Sequence, residues 1–326
     1  MKRIIFFCLA VICVTVFAKD ENKYRSISLY EENDIVAGTD LDYTNGFRLQ
    51  YISSDIETWD LPDWAIKIGK NLPLFNHEGY KNNIGIGFGQ DMYTPTDIED
   101  FNLREDDRPY AGWLYLAFSL HHKDENDLHK LELTLGVVGP YSLACDTQKT
   151  IHEWIDSRNP NGWDHQLGNE FGLNLSYEFR KKYLFLDNWV DVIPSAKVSI
   201  GNVSTYLATG TTVRCGYNLP NDFHSNRISS SGFALPTNYS NKGDWSVYIF
   251  GNVTGYAVAR DIFLDGNTFE DSHSVDKKHF KAEFELGVGM SYKRFFMTYT
   301  RVYKTKEYDT QEKNHTYGSV NLGFRF

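Results

Sequence analysis

Three polar patches interrupt an otherwise regular sequence, and their residue types suit hydrolysis. The first runs Glu31, Glu32, Asn33, Asp34 and continues through Asp40, Asp42, Thr44 and Asn45. The second spans Tyr93 to Gly112 and carries Arg104, Asp106, Asp107 and Arg108. The third holds Cys145, Asp146, Gln148, His152 and Glu153. Within it, Ile151, Trp154 and Ile155 have helical spacing, and on such a helix Gln148 and His152, four apart, share a face. A neutral imidazole can take a proton from water. Carboxylate and amide oxygens, Asp34 among them, suit a hard cation, with Ca²⁺ ahead of transition metals. Such a cation polarises an ester carbonyl and stabilises the developing oxyanion. No Gly-x-Ser-x-Gly elbow exists to favour a serine nucleophile. His77, His121, His122 and His165 read as ordinary structural or surface residues. Gly85, Gly87 and Gly89 are spaced strictly by two, which marks room for a neighbouring side chain rather than a phosphate loop.

The elements that must carry these patches are strands. Period-two alternation recurs along the chain: Phe47, Leu49, Tyr51; Ile84, Ile86, Phe88; Leu114, Leu116, Phe118, Leu120; Leu131, Leu133, Leu135, Val137; Leu173, Leu175, Tyr177, Phe179; Phe284, Leu286, Val288, Met290. Each such run has one wet and one apolar face. A soluble sandwich would alternate too, but three features select a membrane barrel. Rings gather toward strand ends (Tyr24, Tyr30, Tyr51, Tyr93, Tyr110, Trp113, Tyr177, Tyr183, Trp245, Tyr292, Tyr303), as interfacial girdles require. The N-terminus reads as an export signal. The last strand keeps Val320, Leu322, Phe324 and Phe326 in one register, like the C-terminal strand of bacterial outer-membrane barrels. The predicted fold is all-β: a transmembrane antiparallel barrel of about twelve strands, with a short helix in an extracellular loop. The strands are 24–34, 43–54, 82–93, 110–122, 128–138, 169–180, 190–203, 204–216, 245–263, 279–293, 294–305 and 316–326. With both termini periplasmic, hairpin parity carries all three polar patches to the outer rim. Two connections, 55–81 and 217–244, are long for periplasmic turns.

Composition agrees. Of 326 residues, 15% are aromatic, yet only 41% are hydrophobic and the mean hydropathy is −0.44. Past the N-terminus no run nears the ~20 apolar residues of a spanning helix, and so many rings exclude disorder. A net charge of −10 excludes nucleic acid bound through a general basic field. Lys2 and Arg3, then the apolar stretch Ile4 to Phe17 and a small residue at Ala18, form a signal peptide over 1–18. The mature domain is then 19–326, a single unit with net charge −12. Its cysteines are Cys145 and Cys215, which an oxidising compartment allows to pair or to remain free thiols. No zinc spacing exists.

Several motifs together resemble the outer-membrane lipid A 3′-O-deacylase family across nearly the whole mature chain. They are Asn33-Asp34, Asp42 to Gly46, Gly89 to Pro95, Asp107 to Trp113, Gly136 to Pro140, Gln148 with His152, and Gly162 to Asn169. The resemblance implies a twelve-stranded barrel with a Ca²⁺-dependent site between the wall and a loop helix, acting on lipid A within lipopolysaccharide. By motif, His152 would activate water, Gln148 would orient it or the substrate, Asp34 would bind Ca²⁺, and Asn33 and Thr44 would line the site. It also implies direct water attack without an acyl-enzyme. A lysine that some members carry is missing between Thr96 and Asn102, so Arg104 or Arg108 would take over substrate binding. Arg158 and Asn159 stand where an acidic residue is expected after the histidine. The implied setting is the outer membrane of a Gram-negative bacterium, reached through the barrel assembly machinery, as a monomer. Rival readings are a barrel phospholipase with a serine nucleophile and a porin or adhesin.

Overall fold

The computed structural model describes residues 24–33, 42–56, 79–223, 227–228 and 244–326, with the side chains of 42–44 excepted. The signal segment lies outside the described residues, as do Asp34 and His77. Among the described residues the chain forms β1 (Ser26–Asn33), β2 (Asp42–Ile52), β3 (Lys81–Thr94), β4 (Ala111–Lys123), β5 (Asp127–Val138), α1 (Ala144–Ile155), β6 (Glu170–Lys181), β7 (Tyr183–Phe185), β8 (Val190–Gly201), β9 (Ser204–Tyr217), β10 (Trp245–Asp261), α2 (Ile262–Asp265), β11 (Phe280–Tyr292), β12 (Phe295–Lys304) and β13 (His315–Arg325). Neighbouring strands pair antiparallel, β6 pairs directly with β8, and β13 returns to β1. Twelve strands therefore close a ring, and the three-residue β7 is a short addition on β8. Closure pairs the backbone groups that an open edge would leave bare in lipid.

Alternation decides which face is which. Leu29, Ile84, Ile86, Phe88, Leu116, Phe118, Ile249 and Leu286 are exposed on the outside. Ser28, Arg48, Gln50, Glu132, Asp191, Arg214, Ser319 and Asn321 are buried inside. This is a polar interior in an apolar jacket, as a lipid-embedded barrel requires. The spaced glycines face inward: a Cβ on Gly87 would lie 3.1 Å from Arg48 Nε, and one on Gly89 would lie 2.5 Å from the Tyr115 ring. The predicted room for neighbours is thus taken by an arginine and a tyrosine.

The interior is filled by charge pairs. Arg48 and Lys130 each lie 3.0 Å from Glu132, Arg214 lies 2.6 Å from Asp191, and Lys281 lies 2.5 Å from Glu307. A cavity of 190 Å³ remains among Arg48, Asp91, Tyr115, Glu132, Lys197 and Glu283. The connection after β9 accounts for part of the filling. Its Phe223 and Ile228 join the core with Trp113 and Tyr115, and Arg227 lies 2.7 Å from Glu283 and 2.6 Å from Glu285. The stretch predicted as a long periplasmic turn therefore sends Phe223, Arg227 and Ile228 into the barrel.

Two further readings need correction. Tyr30, Tyr110 and Trp113 are buried rather than interfacial, and Tyr93 stacks on Phe263 of α2 at 4.0 Å. Exposed rings at the short-turn end are Tyr183, Trp189, Tyr217, Trp245, Tyr292 and Phe295, with Trp245 stacked on Tyr292 at 4.3 Å, and Phe171, Phe280 and Tyr303 are exposed at the loop end. The second is the 181–189 connection, which holds β7. At the opposite end the connections after β3, β5, β10 and β12 are longer than those after β4 and β11, although the connections after β2 and β9 are long as well.

Candidate functional site

The site is built on the outer face of the wall. Along β3, Ile84, Ile86 and Phe88 are exposed to lipid, yet Gln90 and Met92, next on the same face, are buried. What covers them is the segment after β5. Gln90 Nε2 donates to the Ser142 carbonyl at 2.6 Å, and Met92 packs with Tyr110, Ala144 and Trp163. Gly112, beside Met92 on β4, permits the approach: a Cβ there would sit 2.1 Å from Ser142 Oγ and 2.3 Å from Ala144 Cβ. The single turn Pro140–Ser142 and α1 thus lie against the lipid-facing side of β3 and β4, at the loop-rich end.

Helix α1 turns Ala144, Gln148 and His152 to the wall, and all three are buried. The predicted helix is present and the shared face of Gln148 and His152 is its inner one. Asp156, with φ 53°, ends the helix in a left-handed residue, and Ser157 N donates back to the His152 carbonyl at 2.9 Å. That reversal brings the Arg158 carbonyl 2.5 Å from His152 Nδ1. A carbonyl only accepts, so Nδ1 carries the proton and a neutral imidazole keeps its lone pair on Nε2. At this position, where the sequence lacks the expected acidic residue, Arg158 offers the histidine its main-chain carbonyl.

Gln148 is fixed in the same way. Trp163 Nε1 donates to Gln148 Oε1 at 2.7 Å, which orients the carboxamide and turns Nε2 the other way. Nε2 is buried and has no partner among the described residues. Trp163 itself is wedged against Tyr110, ring centres 5.0 Å apart. The sequence motif around Gly162 contained this tryptophan without indicating its use.

The strand register extends the site sideways. Asn33 lies opposite Asn45, Asn45 opposite Met92, and Met92 opposite Gly112. All four belong to the outward face, one row across the wall at about 4.8 Å per strand. The β2–β3 register shifts between Tyr43 and Asn45, which places Thr44 at a bulge; bulges re-aim side chains near active sites. Asn45 Nδ2 donates to Glu31 Oε1 at 2.7 Å. Asn33, Gln148 and His152 therefore belong to one sector of the outer wall, with the Thr44 backbone at the β2 irregularity in the same sector. Asp34 follows Asn33 but lies outside the described residues.

The two arginines part company. Arg108 is buried, 3.4 Å from Glu307, with Tyr93 and Tyr308 rings at 5.3 and 5.8 Å. Arg104 stands on the exposed loop, 3.8 Å from Asp97 and 3.7 Å from Asp106. The other histidines have structural partners: His121 with Ser119 Oγ, His122 with Asn82, His165 with the Phe101 carbonyl. Cys145 and Cys215 are unpaired, and burial pushes the Cys145 thiol up. Among the described residues no three His, Cys, Asp or Glu side chains gather as a metal site.

A comparison with curated protein sequences finds no match. Among solved structures, the chain is similar to LpxR from Salmonella typhimurium, with 19% identity, 92% of this chain and 99% of that chain covered, and a TM-score of 0.73. It is also similar to the β domain of the Bordetella autotransporter BrkA, at 11% identity, coverage of 94% and 98%, and a TM-score of 0.43. The family model described as outer membrane protein LpxR matches residues 4–326. The chain therefore belongs to the LpxR family of outer membrane proteins, the lipid A 3′-O-deacylase family whose motifs its sequence carries.

Proposed function

We propose that the protein is an outer-membrane esterase that hydrolyses the 3′-linked acyl chains of lipid A, with His152 activating water and Ca²⁺ as cofactor. The observation that carries this reading is where the buried His152–Gln148 face lies. It meets the wall on the lipid side, beside Gln90 and Met92, two to four residues along the strands from exposed Phe88 and Leu116. An acyl ester at the top of the hydrocarbon layer is met at that height, and a water-filled lumen is not.

His152 Nε2 takes the proton of the attacking water while the Arg158 carbonyl holds Nδ1–H and the ring plane. The Gln148 amide, aimed by Trp163, offers a hydrogen bond from Nε2 to the water or the ester oxygen. Asn33 and Thr44 line the opposite side, on strands one row apart. Arg104, half-exposed on its loop beside Asp97 and Asp106, is the arginine nearer an anionic headgroup; the Arg108 guanidinium is committed inside the barrel.

The donor chemistry here suits a hard cation. Asn33 and Glu31 supply amide and carboxylate oxygens on the outward face, and Asp34 adds a carboxylate next in the chain. When bound, Ca²⁺ supplies positive charge to the ester carbonyl. The mature chain is acidic and lipid A is anionic, so a bridging cation also offsets their repulsion.

The test is the mass profile of lipid A from cells with and without the protein, repeated with purified enzyme in EDTA and in excess Ca²⁺. Loss of 3′-linked acyl groups, stopped by EDTA and by Asp34→Ala, is expected. An unchanged acyl pattern would refute the activity, and indifference to chelation would refute the cation. Alkylation of a serine by an organophosphonate would favour the serine-nucleophile rival.

A further inference from the structure

Helix α1 has three sides rather than two. At about 100° per residue, Ala144, Gln148 and His152 form the wall side. Ile151 and Trp154 fall together on one flank, with Leu143 just before the helix, while Asp146, Lys149 and Glu153 fall together on the other. Most of this apolar flank is not packed on protein: Trp154 is 80% exposed and Leu143 52%, while Ile151 is half-buried. Tyr141 and Ile155, beside its two ends, are exposed as well. In the sequence, Ile151, Trp154 and Ile155 marked only a helical spacing. The structure buries glutamine and histidine and leaves Trp154 and Ile155 exposed.

A helix with a charged flank, an apolar flank and little net hydrophobicity lies in the plane of a membrane interface. The barrel supplies that interface at the right place. The outward row Leu29, Leu49, Phe88, Leu116, Leu135, Leu173 is continuous around half the wall. The next row up already contains Gln90, which α1 and its preceding turn cover. The apolar flank is thus continuous with the lipid-facing belt.

We propose that Leu143, Ile151 and Trp154 are immersed among the acyl chains of the outer leaflet and hold α1 at the boundary between chains and headgroups. This flank sets the height of the His152 face and forms the side by which a lipid approaches it. The occupant is bilayer lipid, not a second copy or another protein. The proposal rests on the deacylase reading only for its activity measurement.

Trp154 fluorescence, taken as the difference between wild type and Trp154→Phe, is measured in vesicles of phosphatidylcholine and lipid A with and without bromine on the upper acyl carbons. Bromine is expected to quench it. In parallel, Trp154→Asp should lose about tenfold in rate on lipid A in vesicles and keep its rate on lipid A dispersed in excess detergent. Unquenched fluorescence overturns the proposal, and so does an equal loss in vesicles and detergent. A wild-type dimer in detergent that Trp154→Asp dissociates would show a second copy on this flank and also overturn it. Absence of deacylation by the wild type in every medium refutes the activity, while the quenching still decides the anchor.

Discussion

At the scale of single residues, the site depends on fixed hydrogen-bond direction more than on charge. His152 is committed at Nδ1 to a main-chain carbonyl, so its replacement removes the base without unbalancing a buried ion pair. His152→Ala should lower the deacylation rate by about 10²–10⁴ while the barrel keeps its heat-modifiable gel mobility; retained activity would remove the proposed base. Trp163→Phe is the finer test. It preserves the ring against Tyr110 and deletes only the donor to Gln148. Loss of one hydrogen bond to a reacting-site amide should cost about tenfold in kcat with KM little changed. A wholly structural tryptophan would instead shift the melting temperature and leave kcat alone.

At the scale of elements, the fit of α1 to the wall is set by Gly112. A leucine there would overlap Ser142 and Ala144 and lift the helix. Because a misplacement of about 1 Å can cost a hundredfold in rate, Gly112→Leu should be nearly inactive yet still inserted and folded, checked by lipid A profile and gel mobility together. The strands were legible because period two is strongly enforced where one face meets lipid: the Ile84–Phe88 and Val320–Phe324 registers both stand as read. The glycine series was legible for the same reason, since only a side chain across the strand could need that room. Two things were hidden. The helix's inner face was, because apolar spacing normally marks a protein contact, and here lipid takes that part. The inward placement of Phe223, Arg227 and Ile228 was, because Arg227 in a polar stretch looks solvated until the carboxylates that neutralise it are seen inside a closed ring. The Arg158 partner of His152 was illegible in principle, being main chain.

At the scale of the whole molecule, buried charge fills the barrel, so its stability should follow pH. Burial acts to raise the Glu307 pKa, but the facing Lys281, Lys304 and Arg108 outweigh it and hold the carboxyl well below its ordinary 4.5. A depressed pKa stabilises the fold above 4.5, and that share is lost as pH falls through the folded value. Glu307→Gln should therefore cost about 3 kcal/mol near neutrality, since it leaves buried cations uncompensated. The gap to wild type should close in acid, as urea unfolding followed by gel mobility would report. A constant gap across pH would contradict the assignment. Arg227 has a different consequence. Its guanidinium lies 3.8 Å from Glu32 on the first strand and donates to the Tyr317 hydroxyl on the last. One side chain, supplied from the connection between β9 and β10, straddles the seam where the sheet meets itself. It is a latch for the step at which an open ribbon becomes a ring, and it is already in the chain before the strand it fastens has been made.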